Sequence, residues 1–65
     1  MPGRNQQRTD YERGATAWAA LEIQARGANL HPTRDGWDVE LADGSWRAAN
    51  DWRELCRVAH ELRAR

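Results

Sequence analysis

A chain of 65 residues makes one domain, and at this size about 60% of the unfolded chain's surface is buried on folding. Ten basic and ten acidic residues cancel to zero formal net charge, which argues against nucleic acid or an anionic membrane as the main partner. A single cysteine excludes an internal disulfide, and without a long apolar run or a signal-peptide pattern the expected location is the cytoplasm.

Residues 1–8 are polar and include Pro2 and Gly3, so they read as a flexible arm ahead of one domain over residues 9–65. Arg4 and Arg8 in this arm, with Arg13 just beyond it, are the candidate phosphate contacts should nucleic acid be bound. Thr9-Asp10-Tyr11-Glu12 reads as a capping box, with Thr9 as N-cap and Glu12 at N3. The helix it opens runs to Arg26, with Gly27 as its C′ stop. Its apolar stripe is Tyr11, Ala15, Trp18, Leu21 and Ala25. Gly14 weakens the first turns by roughly 1 kcal/mol relative to alanine. Thr16, Ala19, Ala20 and Ile23 form a second, small-residue surface, either an internal contact or a homodimer interface.

Two Asp-Gly pairs, Asp35-Gly36 and Asp43-Gly44, predict a three-stranded antiparallel meander, because a type I′ hairpin turn needs positive φ at both central residues. As two-residue loops they set Arg34 opposite Trp37, Pro32 opposite Val39 and Leu30 opposite Leu41. The second turn sets Leu41 opposite Trp46 and Val39 opposite Ala48. Leu30, Trp37, Val39, Leu41, Trp46 and Ala48 then share one dry face. His31, Thr33, Asp38, Glu40 and Arg47 share the wet face, with Glu40 opposite Arg47 and beside His31. Trp37, at a hairpin corner, is expected to be partly exposed. The acidic positions Asp35, Asp38, Glu40 and Asp43 read as turn chemistry and a solvated strand face, diluted by Arg34 and Arg47.

Asn50 or Asp51 caps the second helix, with Glu54 three residues after Asp51. Its stripe is Trp52, Leu55, Val58, Ala59 and Leu62, and Arg63 and Arg65 suit the negative end of the macrodipole. The fold class is therefore α+β, in the order α-β-β-β-α, with both helices on one face of the meander.

Chemistry-bearing motifs are sparse. Cys56 and His60 project from one helix face, but the only other histidine, His31, lies on the wet face of the sheet, so no metal site is expected. Ser45 is the only serine and follows a turn glycine, and no glycine-rich phosphate loop is present. Neither an enzyme nor a cofactor is expected.

The α-β-β-β-α order and the length resemble the double-stranded-RNA-binding domain. In that family, lysines at the start of the last helix bind phosphates. Here that helix begins Asn50-Asp51-Trp52-Arg53-Glu54, without a lysine, so no site residue carries over. The last two strands and helix are similar to sheet-reading DNA-binding domains of the integrase-arm type, which need a basic outward face where this chain has Asp38 and Glu40. In style the chain resembles small accessory proteins of phages and mobile elements, anti-CRISPR and other anti-defence inhibitors among them. Its ten arginines and absent lysines fit a GC-rich bacterial or phage genome.

The expected function is a non-enzymatic protein-binding module that inhibits or adapts a host protein. Its expected contacts are His31, Trp37, Asp38, Glu40 and Arg47, since exposed tryptophan and arginine are enriched in binding hot spots. A nucleic-acid-binding regulator using the arginine arm, and a structural subunit or homodimer, are the alternatives.

Overall fold

The structure is a computed structural model that describes the backbone of residues 2–65 and the side chains of residues 10–65. It has the expected order: α1 (Pro2–Ala25), β1 (Asn29–Pro32), β2 (Trp37–Glu40), β3 (Trp46–Ala49) and α2 (Trp52–Arg63). The strands form an antiparallel meander in the order β1-β2-β3. α1 packs on α2 and β1, and α2 packs on β3.

α1 is longer than the capping box predicts. Thr9 lies within the helix and is not its N-cap. The side chains of the expected arm, Arg4 and Arg8 included, lie outside the described residues. At the other end the stop signal works as read. Gly27 N–H donates to the Gln24 carbonyl at 3.0 Å and Ala28 N–H to the Ile23 carbonyl at 3.3 Å. This is a Schellman motif with Gly27 at C′, and buried Ala28 and Ile23 supply its usual apolar contact.

Both hairpins differ from the expected two-residue type I′ loops, for separate reasons. In the first, Thr33 N–H donates to the Gly36 carbonyl at 2.8 Å, so the loop is Arg34-Asp35 and Pro32 pairs with Trp37. Gly36 does not have positive φ. It is required by close approach instead, since a Cβ there would stand 2.0 Å from the Ala49 carbonyl oxygen. The register moves by two residues relative to the expectation, so the faces of β1 and β2 are unchanged: Leu30 pairs with Val39 and His31 with Asp38.

The second loop holds three residues, Ala42-Asp43-Gly44. Gly44 N–H donates to the Leu41 carbonyl at 2.9 Å, and Leu41 N–H to the Ser45 carbonyl at 2.7 Å. Gly44 has φ +89°, the left-handed residue that closes a three-residue hairpin. The Asp43 carboxylate accepts from Ser45 N–H at 2.9 Å and Ser45 Oγ at 2.6 Å. That one extra residue turns β3 over. Val39 pairs with Arg47 and Trp37 with Ala49. Trp46 and Ala48, expected on the dry face, stand outside, and Trp46 is 52% exposed. Ala49 is fully buried in their place.

α2 is capped as read. Asp51 is the N-cap, and its Oδ1 accepts from Glu54 N–H at 2.8 Å. Glu54 Oε2 reaches back to Asn50 N–H at 3.0 Å. These two bonds satisfy a helical donor and the chain just before it, in the manner of a capping box.

The core gathers Ala19, Ile23, Val39, Leu41, Ala49 and Leu55 with Ala28, Val58, Ala59 and Leu62. The stripe expected for α1 is therefore rotated. Tyr11 and Leu21 are each 68% exposed and Ala25 is exposed, whereas Ala19 and Ile23 are fully buried. The reason is the direction of α2. Four chain reversals separate the helices, so they run parallel: Tyr11 meets Trp52, Ala15 meets Cys56, Trp18 meets His60 and Glu22 meets Arg63. Ala19 and Ile23 of α1 are buried in one core with Leu55, Val58, Ala59 and Leu62 of α2, while Tyr11 and Trp52 stand at its margin. No helix among the described residues is long and apolar enough to cross a membrane.

Candidate functional site

The meander and the parallel helices divide the exposed aromatic residues between two surfaces. The first is an open groove of about 590 Å³ between α1, the β1–β2 turn and the start of α2. Thr16, Ala17 and Ala20 of α1 form one wall, and Trp37 and Trp52 contribute indoles from the other side. Glu12, Arg13, Asp35 and Asp51 carry its charge. Each wall follows from local structure. Thr16, Ala17 and Ala20 recur at helical spacing, and the Thr16 hydroxyl donates to the Glu12 carbonyl at 2.7 Å. Trp37 opens β2 and packs against the core with the rest of its ring exposed. Trp52 follows the N-cap of α2 and is held in place from two sides. Tyr11 meets it in a T-shaped contact with ring centroids 5.6 Å apart at 79°, and the Arg53 guanidinium lies 5.3 Å from its ring centroid.

The second surface is the outer face of the sheet. Trp46 stacks on His31 with centroids 5.2 Å apart, and His31 Nε2 lies 3.1 Å from Glu40 Oε1. Asp38 is exposed beside them. Of the five expected contact residues, His31, Asp38 and Glu40 are thus brought together. Trp37 faces the opposite side and lines the groove. Arg47 also leaves the set: with β3 turned over, it is opposite Val39 and reaches α2. There its Nη2 donates to Glu61 Oε2 at 3.0 Å and its Nε to Oε1 at 3.4 Å, while Arg65 Nη2 donates to Oε2 at 2.7 Å. These guanidinium contacts lower the Glu61 pKa, and the Arg47 pKa is raised in turn. Asp43 is lowered by its bonds to Ser45.

The small-residue surface of α1 is divided too. Ala19 and Ile23 are covered inside the chain, so they cannot form a homodimer interface. Thr16 and Ala20 are half-buried and line the groove. Sequence reasoning missed Ala17 and Trp52 in the groove and Tyr11 against Trp52, because it places Tyr11 and Trp52 on core stripes. Trp46 was missed on the outer face because its exposure depends on one loop residue.

Cys56 and His60 face separate partners. Cys56 Sγ donates to the Ala15 carbonyl at 3.5 Å, and burial raises its thiol pKa. His60 rests on Trp18 with centroids 4.9 Å apart. Among the described residues, no three histidine, cysteine or acidic side chains gather where a metal ion could sit.

A second concavity of about 380 Å³ lies at the opposite end of the helices, against Arg26, Leu62, Arg63 and Arg65. Its guanidinium groups are engaged. Arg63 and Arg26 meet Glu22 at 3.2 and 3.8 Å, and Arg65 meets Glu61.

No family model, no curated protein and no solved structure matches the chain.

Proposed function

We propose that the chain is a non-enzymatic protein-binding module and that the groove between α1 and the start of α2 is its principal contact surface. The observation that carries this reading is the groove's composition: two partly exposed indoles, Trp37 and Trp52, opposite the short side chains of Thr16, Ala17 and Ala20. Such a surface accepts an inserted apolar side chain and surrounds it with aromatic area, which is how binding hot spots are built. Tyr11, also exposed at its margin, extends the aromatic surface along α1.

The outer face of the sheet, with Trp46, His31, Asp38 and Glu40, is a second contact surface in this reading. In this reading the chain is an accessory protein of a phage or mobile element that inhibits or adapts a host protein; its lysine-free, arginine-rich composition fits the GC-rich genome of such an element and bears on no mechanism.

The test is capture of the tagged protein's partners from lysate of its own cells, under nuclease, beside an Ala17→Trp variant that fills the groove. Ala17 is exposed, so the larger side chain enters the groove without displacing the core. A stoichiometric protein partner lost with Ala17→Trp is expected. Capture that depends on nucleic acid would move the assignment to the regulator reading, and a partner retained by Ala17→Trp would move it to the outer sheet face.

A further inference from the structure

We propose that the groove receives a basic, amphipathic segment of the partner protein, an apolar side chain seated between Trp37 and Trp52 and an adjacent arginine or lysine at Asp35 and Asp51. This rests on the protein-binding reading of the groove and adds the chemistry of the occupant.

The argument is charge complementarity on an apolar floor. Three carboxylates, Glu12, Asp35 and Asp51, line the groove against one guanidinium, Arg13. Several acidic side chains elsewhere have partners: Glu22 meets Arg63, Glu40 meets His31, and Glu61 meets Arg47 and Arg65, whereas Asp38 stands exposed on the outer face of the sheet. The Asp35 carboxylate has no hydrogen bond or ion pair among the described residues, and Asp51 uses Oδ1 alone, for the α2 cap. Acceptor capacity therefore stands beside the indoles, and a carboxylate can hold a guanidinium through two parallel hydrogen bonds.

The indoles favour the same occupant. A cation over an indole face is attracted by the ring quadrupole, and Trp52 already holds the guanidinium of Arg53 at 5.3 Å. Two indoles and two acceptors at one groove thus suit a residue pair, one apolar and one cationic, better than either alone. An acidic segment would meet three carboxylates at close range and would be repelled.

The experiment is selection from a random twelve-residue peptide library on the immobilised protein. Selected peptides are then titrated calorimetrically against the wild type, Ala17→Trp and the double variant Asp35→Asn/Asp51→Asn. Asparagine caps a helix as well as aspartate and suits an exposed turn, so the double variant keeps the fold while losing both charges. Expected are peptides pairing an arginine or lysine with a large apolar residue. Their affinity falls at least about tenfold in the double variant and weakens as salt rises, as for a pair of opposite charges near the surface. Peptides that lose binding with Ala17→Trp but carry no basic residue, or bind the double variant unchanged, would overturn the charge assignment and leave the protein-binding reading standing. Failure to select any peptide sensitive to Ala17→Trp would overturn the groove as a docking site. A dimer in sedimentation equilibrium that Ala17→Trp dissociates would assign the groove to a second copy of the chain and overturn the proposal.

Discussion

Replacing Gly36 with alanine tests a close approach of backbone to backbone, tighter than at Gly14, Gly27 or Gly44. The added Cβ would stand 2.0 Å from the Ala49 carbonyl oxygen and 2.9 Å from the Asn50 Cα and carbonyl carbon. All three obstacles are backbone atoms, so no side chain can rotate out of the way. Relief requires the β1–β2 turn to move by more than an ångström from the end of β3, where Ala49 is fully buried and Asn50 leads into the α2 cap. Overpacking a core by a methylene costs typically ~1–3 kcal/mol, and a clash against fixed backbone belongs at or above the top of that range. At ~0.05–0.15 kcal/mol per residue, the whole domain is stable by only about 3–10 kcal/mol. The substitution should therefore remove about 3 kcal/mol or more and lower Tm by at least about 12 °C, or leave the chain unfolded. Urea titration followed by tryptophan emission reads this directly, with Asp35→Ala as a control in the same turn that adds no atom near Ala49. A Gly36→Ala protein within about 1 kcal/mol of the wild type would mean that the turn does not approach β3 this closely, and the register of both hairpins would have to be redrawn.

Other substitutions follow from the same structure. Gly14→Ala should stabilise by about 0.5–1 kcal/mol in thermal melts, because a Cβ there meets open space inside α1. Trp46→Ala should cost under about 1 kcal/mol and Leu55→Ala about 2–5 kcal/mol, since Trp46 is 52% exposed and Leu55 is fully buried; denaturant midpoints that reverse this order would return β3 to its other face. The Glu61 pKa is lowered in the folded chain, so its ion pairs contribute stability above the ordinary carboxylate range and lose it as pH falls through the lowered value. Glu61→Gln should flatten that part of the acid limb of a stability-against-pH curve, by a small amount because both Glu61 and Arg47 are more than a third exposed.

Much of the fold is legible in the residues, and the exceptions have physical causes. The Asp51 cap, the Glu54 side chain three residues on and the Gly27 stop act through local backbone geometry, so local sequence is enough to find them. Asp43-Gly44 is ambiguous in a way no local reading removes. The pair serves a two-residue loop with both residues at positive φ, or a three-residue loop with Gly44 alone in the left-handed region. The two differ by one residue, and one residue decides whether Trp46 or Arg47 faces the helices. As a two-residue loop the turn puts the tryptophan in the core. The structure instead puts Ala49 inside, where α2 comes close, and gives Arg47 a carboxylate on that helix. The stripe of α1 is read from helical spacing, which does not tell on which side the second helix lies. Ala19 and Ile23 lie on the side of α1 that the parallel α2 helps to cover. The groove was hidden for a related reason: its walls belong to three elements whose relative placement depends on those two packing choices. Its tryptophan at the hairpin corner, Trp37, was expected to be partly exposed and is.

The parallel pairing of the helices has a consequence for how the chain folds. Tyr11 meets Trp52 and Trp18 meets His60, so these contacts join residues about forty positions apart. The two hairpins close over short loops and can form within microseconds, and α1 meets β1 across one short turn, but these local contacts lack the α2 side of the core. Closing the long loop that brings α2 home costs entropy before any of its contacts form. Leu55, Val58, Ala59 and Leu62, which complete the core, all arrive with that helix. During synthesis, α1 and the meander therefore cannot complete their shared core until α2 has left the ribosome.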